Sequence, residues 1–538
     1  MKAASLILRA VLVLPVGLGL AVTLGQGFTS LPFVLNWPGL MRACLLSLGP
    51  GLAATLIALA LVGLILGAEP RSLGLLERLL GPLLALPHAA AALGLAFVIA
   101  PSGWIARAFS PWATGWLVPP DVMTLNDPWG LALTLGLVLK ETPFLLLMAL
   151  AARTPKLRQR QKVAATLGYG RGMSFALTVW PELYQALRLP VLAVLVYAMT
   201  TVDMALILGP SLPYSLSAQI SLWQSEASLT HQDQAAACGL LQAGLVMVAL
   251  ILWRGVEALG TALRHGLTMK GIRAPWAERA CAPLATAAVV ALTMLPVFGL
   301  ASLALWSVAG LWRFPMTLPD QFTWQVWAQA GPALLRASGV SLALALAVTS
   351  VALVLTIWAL QAQALRPKPA GEALIFLPLI VPQIVVIPGI ATALLHLPVP
   401  PLAAVALGHL VYVLPYVVLG LSGPFQGWNP HLGAVGASLG AKPWRVLLQL
   451  RLPMLAGPLA ATAAVGFAVS IGQYLPTLLL GGGRVVTLTT EAVALSSGGN
   501  RRIVGAYGLA QAFWPGLAFV LALQIQRARS LPFGQSSR

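Results

Sequence analysis

Long apolar runs recur along the whole chain, at 6–25, 49–68, 79–100, 129–152, 186–209 and 235–253, and again at 284–309, 333–360, 373–396, 400–420, 456–480 and 503–525. A helix needs roughly 20 apolar residues to cross the hydrocarbon core of a bilayer, so each run is long enough, or nearly so, to span. The rest of the composition supports this. Only 9% of the 538 residues are charged and 59% are hydrophobic, whereas a soluble domain carries about 25% charged residues. So few charges cannot build a water-soluble surface. The spacing predicts an all-α polytopic membrane protein of about 12 transmembrane helices. Prolines inside the runs, such as Pro87, Pro143, Pro382 and Pro415, are tolerable where neighbouring helices satisfy the freed backbone groups. Lys2, Arg9 and the apolar run 10–24 resemble a signal peptide, but no convincing small-residue cleavage site follows, so an uncleaved first span is expected.

The formal net charge is +18. In a soluble protein that would point to nucleic acid; here its placement along the chain carries the information. Lys and Arg concentrate in cytoplasmic loops. With the N-terminus inside, 23 of the 32 fall on the cytoplasmic side, seven fall outside (Arg42, Arg107, Arg313, Arg336, Arg484, Arg501 and Arg502), and Lys140 and Arg188 lie in or at the edge of a span. Both termini are therefore expected in the cytoplasm, with no nucleic-acid partner and with lipid as the main solvent. Cys44, Cys238 and Cys281 lie in or beside apolar runs and read as small core residues, with no disulfide framework or metal site.

The chain also repeats itself. Glu77, Pro87 and Gly94 recur as Glu372, Pro382 and Gly389, each 295 positions later. Pro143, Gly168, Pro181, Gly209 and Leu216 recur as Pro415, Gly440, Pro453, Gly481 and Leu488, each 272 later. The offset falls because the first half has a longer outer loop near 101–128, rich in Pro and Trp. The expected domains are 1–265 and 283–538, joined by a basic cytoplasmic linker at 266–282. Six spans in each half enter the membrane the same way up, so the pseudo-two-fold axis lies along the membrane normal. A central pathway between the halves fits that symmetry.

Two cytoplasmic stretches match across the repeat. One runs Lys162-Val-Ala164-Ala-Thr-Leu167-Gly168, then nine residues, then Thr178-Val-Trp-Pro181; the other runs Ala434-Val435-Gly-Ala-Ser-Leu439-Gly440, then nine residues, then Leu450-Arg-Leu-Pro453. A short amphipathic helix in each carries Val163 and Leu167, or Val435 and Leu439, on one face. A glycine then permits the left-handed turn that ends it. An ordinary interfacial loop could look like one of these stretches. Two copies at equivalent places in a repeat point instead to an apolar ridge presented to a partner's groove.

These stretches resemble the hallmark of type I permeases of binding-protein-dependent ABC importers: Glu-Ala-Ala, three residues, Gly, nine residues, then hydrophobic-x-Leu-Pro. The likeness is closest to the subgroup with two fused permease domains, as in thiamine and ferric-iron importers. The stretch from Ser470 to Tyr507 resembles an uncharacterised bacterial permease of that subgroup. The resemblance implies two tandem six-helix permease domains in a bacterial inner membrane. Segments 162–181 and 434–453 would be coupling helices that dock on two copies of an ATPase, with Lys162, Ala164, Leu167, Gly168, Pro181, Val435, Leu439, Gly440 and Pro453 as the coupling residues. A soluble periplasmic binding protein would deliver the solute. The leading motif Glu is replaced by Lys162 in one copy and Ala434 in the other, and Trp180 stands where Leu is usual, which puts in doubt any ion pair that the family Glu makes with its ATPase.

A Walker A loop places Gly immediately before its Lys, and none of the chain's lysines follows Gly. ATP would therefore bind a partner subunit, and no cofactor is expected on this chain. A secondary transporter with two parallel halves is the alternative. That class usually needs intramembrane ionisable groups, and only Lys140, Glu141 and Asp203, all in the first half, qualify. A membrane enzyme is the third class, but the six histidines show no paired ligand spacing. Lys140 and Glu141 are adjacent and point about 100° apart on a helix, which makes them poor partners for each other. Lys140 and Asp203 differ in depth by roughly 8 Å, within reach of a snorkelling lysine. Two arrangements stay open: a Lys140–Asp203 pair beside the pathway with Glu141 facing the cavity, or all three facing water without partners. His88 and Gln383, in matching spans, read as polar interhelical contacts. The cargo is not legible in the sequence.

Overall fold

The computed structural model describes residues 2–226, 228–273, 275–364 and 373–530. Arg366, Lys368, Glu372 and Arg538, counted above, lie outside them. The N-terminal half contains α1 (Lys2–Leu35), α2 (Leu40–Ala68), α3 (Leu73–Ala85), α4 (His88–Ile99), α5 (Trp104–Phe109), α6 (Leu131–Ala151), α7 (Pro155–Thr166), α8 (Arg171–Ser174), α9 (Trp180–Thr200), α10 (Asp203–Leu208), α11 (Leu216–Ser225) and α12 (Leu229–Met269). The C-terminal half contains α13 (Pro275–Val308), α14 (Gln325–Ala364), α15 (Leu377–Ile380), α16 (Gln383–Leu394), α17 (Pro401–Gln426), α18 (Pro430–Ser438), α19 (Pro443–Val446), α20 (Leu452–Met454), α21 (Ala456–Ile471), α22 (Leu475–Gly481), α23 (Leu488–Ser496) and α24 (Arg501–Ser530).

Among the described residues ten helices are long and apolar enough to cross a membrane, or 11 if the pair Pro443–Met454 and Ala456–Ile471, bent by 79°, counts as one. The sequence had pointed to about 12. The difference lies where apolar runs are interrupted. The run 79–100 breaks between α3 and α4, where Leu86 is extended (φ −64°, ψ 119°) before Pro87. The run 373–396 breaks likewise at Val381 (φ −84°, ψ 127°) before Pro382, leaving the 12-residue α16. A residue before proline is forced out of the helical region by the ring. Pro143 and Pro415, by contrast, sit inside unbroken α6 and α17.

The element boundaries recur at the offsets read from the sequence. Helices α8, α10, α11 and α12 begin at 171, 203, 216 and 229, and α19, α22, α23 and α24 begin 272 later, at 443, 475, 488 and 501. Helix α4 (88–99) recurs 295 later as α16 (383–394).

The halves interlock through their first helices. Helix α1 packs along α16 as well as α12, and α13 packs along α4 as well as α24. Glycines permit both crossings. A Cβ on Gly94 would lie 3.0 Å from the backbone of Gly299, and one on Gly389 would collide with the Gly19 carbonyl. Gly94 and Gly389 are the repeat partners identified above. Without side chains, backbones in lipid approach closely and gain dispersion contacts. Gly389→Val is therefore expected to cost about 1–3 kcal/mol through overpacking against a backbone that cannot yield, read as a lowered unfolding temperature in detergent. Gly516→Val, where a Cβ meets open space, serves as the control.

A buried cluster draws on both halves, with Leu93, Leu137 and Met204 packed among Leu303, Leu488 and Tyr507. Arg107 of α5 donates to the carbonyls of Arg313 (2.9 Å) and Met316 (2.6 Å) and lies over the Trp312 ring. The long loop between α5 and α6 is thus tied to the loop between α13 and α14.

Candidate functional site

The two motif stretches fold alike. Just past the end of α7 lies Gly168 with φ +79°, and just past the end of α18 lies Gly440 with φ +81°. The turn closes by N–H of Tyr169 to the Ala164 carbonyl (3.4 Å) in one copy and Ala441 to Gly436 (3.0 Å) in the other. Left-handed φ is accessible to glycine and strained for side chains with a Cβ. The apolar ridge is exposed in both: Val163 at 63% and Leu167 at 61%, Val435 at 56% and Leu439 at 82%. Lys162 is exposed beside it. Ala164 is not part of the ridge. It is buried, as is Gly436 at the matching place, where a Cβ would lie 3.1 Å from Val446. Ala164 thus faces inward, away from the ridge.

After each turn the chain re-enters a helix through a widened π-helical turn, Phe175–Val179 and Leu447–Arg451. The N–H groups of Trp180 and Leu452 bond five residues back, to Phe175 and Leu447. Each is followed by the motif proline, Pro181 or Pro453, which lacks an N–H and whose ring would strike the carbonyl four residues earlier. The wide turn makes room for that ring. Beyond it the copies differ. The first runs on as one 30-residue span, 171–200, and the second bends by 79° before Ala456.

Charged residues hold the copies in different ways. Glu69, at the left-handed end of α2, pairs with Arg153 (2.7 Å) and Arg171, and Arg160 pairs with Glu182. In the second copy Arg451 is buried, donates to the Phe425 carbonyl (2.6 Å) and to Gln361 (3.0 Å), and lies over the Phe425 ring.

The three ionisable groups form neither of the two arrangements left open by the sequence: all are buried and each has a partner. Lys140 is buried, and its Nζ donates to the carbonyls of Leu83 (3.1 Å), Leu84 (3.2 Å) and Leu86 (2.6 Å). Those carbonyls close α3. The Leu83 carbonyl would accept from residue 87 in a continuous helix, but residue 87 is proline and has no N–H. The lysine thus caps a broken helix, where the dipole also favours a cation, and the Lys140–Asp203 pair is replaced by these contacts. Asp203 is not within a span either. The expected span 186–209 breaks at Thr201, which is extended (ψ 136°), and Asp203 opens the separate α10. Its carboxylate accepts from the Thr201 hydroxyl (2.9 Å). Glu141, equally buried, meets His88 Nε2 at 3.3 Å, an interhelical contact of the kind expected for that histidine.

Around these acids stands a group of aromatic residues that the sequence reading missed. The His88 ring lies 4.7 Å from the Tyr197 ring. Tyr474, at the break between α21 and α22, packs against the buried clusters that contain Val202 and Met204, the chain neighbours of Asp203. Residues of both halves therefore meet at the level of the helix breaks. Nearby, His409 bridges the hydroxyls of Ser470 (2.9 Å) and Thr477 (2.8 Å). The available signal was polar and tyrosine residues inside apolar runs, but no motif spacing distinguishes these from core tyrosines.

No family model matches the chain. Among curated proteins it is 31% identical over 453 residues, 83% of this chain and 80% of the relative, to the inner membrane ABC transporter permease protein YnjC of Escherichia coli (strain K12). It is 28% identical over 437 residues, covering 78% of this chain and 76% of the relative, to the thiamine transport system permease protein ThiP of Salmonella typhimurium. A shorter match, 34% over 82 residues and 31% of the relative's length, is to the molybdenum transport system permease protein ModB of Mycobacterium tuberculosis.

Proposed function

The chain belongs to the ABC transporter permease family, and from that premise we propose that it holds two six-span permease domains, 1–265 and 283–538, which frame one pathway and dock two copies of an ATPase. The chain is the non-catalytic, multi-pass inner-membrane subunit of an ATP-driven solute importer. Family membership sets aside the secondary-transporter and membrane-enzyme readings. The finer assignment rests on one observation: a short helix, a left-handed glycine and a π-helical turn before a proline occur twice, 272 residues apart, each beneath an exposed apolar ridge. An exposed ridge of this kind gains stability when a groove on a partner covers it. Val163, Leu167, Val435 and Leu439 would insert, Gly168 and Gly440 would set the shape, and Pro181 and Pro453 would fix the widened turn that follows. Ala164 and Lys162 would act at the base and flank of the first ridge. ATP would bind the partner, and a periplasmic binding protein would meet the outer loops. The names of the relatives mention thiamine and molybdenum, so they do not agree on a cargo. The pathway would run between the halves beside Glu141 and Asp203, with Lys140 serving the scaffold.

The test is cross-linking to the ATPase encoded with the permease. In a chain whose native cysteines are replaced by serine, Val163→Cys and Val435→Cys should each cross-link to an ATPase bearing a groove cysteine. Failure at both positions would refute the docking assignment. Orientation has its own test, from the 23-to-7 distribution of basic residues. Single cysteines at 160 and 270 should be shielded from impermeant thiol reagents in intact cells, while those at 115, 225 and 495 should react. Labelling at 160 from outside would reverse the topology.

A further inference from the structure

Among the described residues, the segment joining the two halves touches the first motif and not the second. Arg273 donates to the Leu167 carbonyl (3.1 Å) at the end of α7 and lies over the Tyr169 ring (5.8 Å). Glu278 accepts from the Gly172 N–H (3.0 Å) where the 171–200 span begins. A Cβ at Gly170 would collide with the Glu278 carboxylate, so glycine there lets the acid reach the backbone. The charges have the right signs. A cation at a helix C-terminus and an anion at an N-terminus each satisfy orphan backbone groups and oppose the helix dipole. The two ends flank the turn at Gly168, so the linker grips it from both sides.

The second motif is built without such a grip. Pro443 stands at the place of Arg171 and opens α19, where the fixed φ of proline suits a helix start. Asn429 caps the start of α18 through the His431 N–H, and a Cβ at Gly440 would meet open space. One motif holds its shape through local residues, and the other borrows two charged caps from the linker.

The geometry points to Arg273 and Glu278 as positioning residues for the first docking turn, which makes the two ATPase contacts unequal and places the first under control of the linker. This rests on the docking proposal above. The test uses the full-length permease in nanodiscs with Arg273→Ala/Glu278→Ala, and with Gly170→Ala as a second route to displacing the carboxylate. Amide hydrogen exchange at 167–173 should accelerate about fivefold or more on loss of the caps, with no change at 439–445. Glu278→Gln, which keeps an acceptor oxygen, should restore most of the protection. Unchanged exchange at 167–173 in both variants, or equal acceleration at 439–445, overturns the brace. In the complex, cross-linking through Val163→Cys should fall severalfold in the Arg273→Ala/Glu278→Ala background while that through Val435→Cys holds. Equal yields at Val163→Cys with and without the caps overturn the control over docking. If neither position cross-links in the otherwise native chain, the docking proposal fails, and the exchange measurement still decides the brace.

Discussion

Gly440→Val is expected to abolish solute uptake and strip the ATPase from the purified permease while leaving the chain inserted in the membrane. Gly440 adopts φ +81° and nothing lies within 4 Å of where its Cβ would be. The added Cβ itself therefore meets no clash, and the effect is argued from backbone strain. Left-handed φ costs an L-residue roughly 1–2 kcal/mol, and a β-branched one more. A penalty of that size lowers the population of a closed turn about 5- to 30-fold. Gly168→Val faces the same strain at φ +79° and adds a contact 3.3 Å from Arg273. The double variant should lose the product of the two effects, because the sites lie on separate helices. Asparagine tolerates the left-handed region, so Gly440→Asn should keep much of the activity. Uptake together with ATPase co-purification provides the measurement. Normal transport by the double valine variant would remove both turns from the coupling step.

The second large effect is one of stability. Lys140→Met would leave the carbonyls of Leu83, Leu84 and Leu86 without their shared donor. An orphaned buried acceptor costs about 1–3 kcal/mol, and more where no water can reach it. With all three stranded the loss, roughly 3–9 kcal/mol, is comparable to the roughly 5–15 kcal/mol margin of an ordinary domain, so the yield of monodisperse protein after extraction should fall sharply. Lys140→Arg retains donors on a longer fork and should recover part of the yield. The charge exchange Lys140→Asp with Asp203→Lys should do no better than its single changes, since the two residues serve different partners. Yield and unfolding temperature in detergent check this. A stable Lys140→Met protein would refute the capping role.

Both predictions turn on where a residue's needs are met, and that divides what was legible beforehand from what was not. The apolar runs, the repeat and the paired glycine turns were readable because each is a property of the local chain. Roughly 20 apolar residues suffice to cross a bilayer wherever they occur, and only glycine enters the left-handed region freely. Pro87 and Pro382 were visible too, but the sequence could not say that they break their helices while Pro143 and Pro415 do not. That outcome depends on whether a neighbour satisfies the freed carbonyls. Lys140 shows the rule. Its position was known, but its partners belong to another helix, 54 to 57 residues earlier, and charge alone made Asp203 look as suitable. The break before Asp203 carries no proline at all, so no local signal marked it. The crossing of α1 onto α16 and α13 onto α4, and the grip of Arg273 and Glu278 on the first turn, arise the same way. They join groups distant in sequence whose geometry exists only once the helices have packed, because a hydrogen bond or a close glycine contact is decided over a few tenths of an ångström.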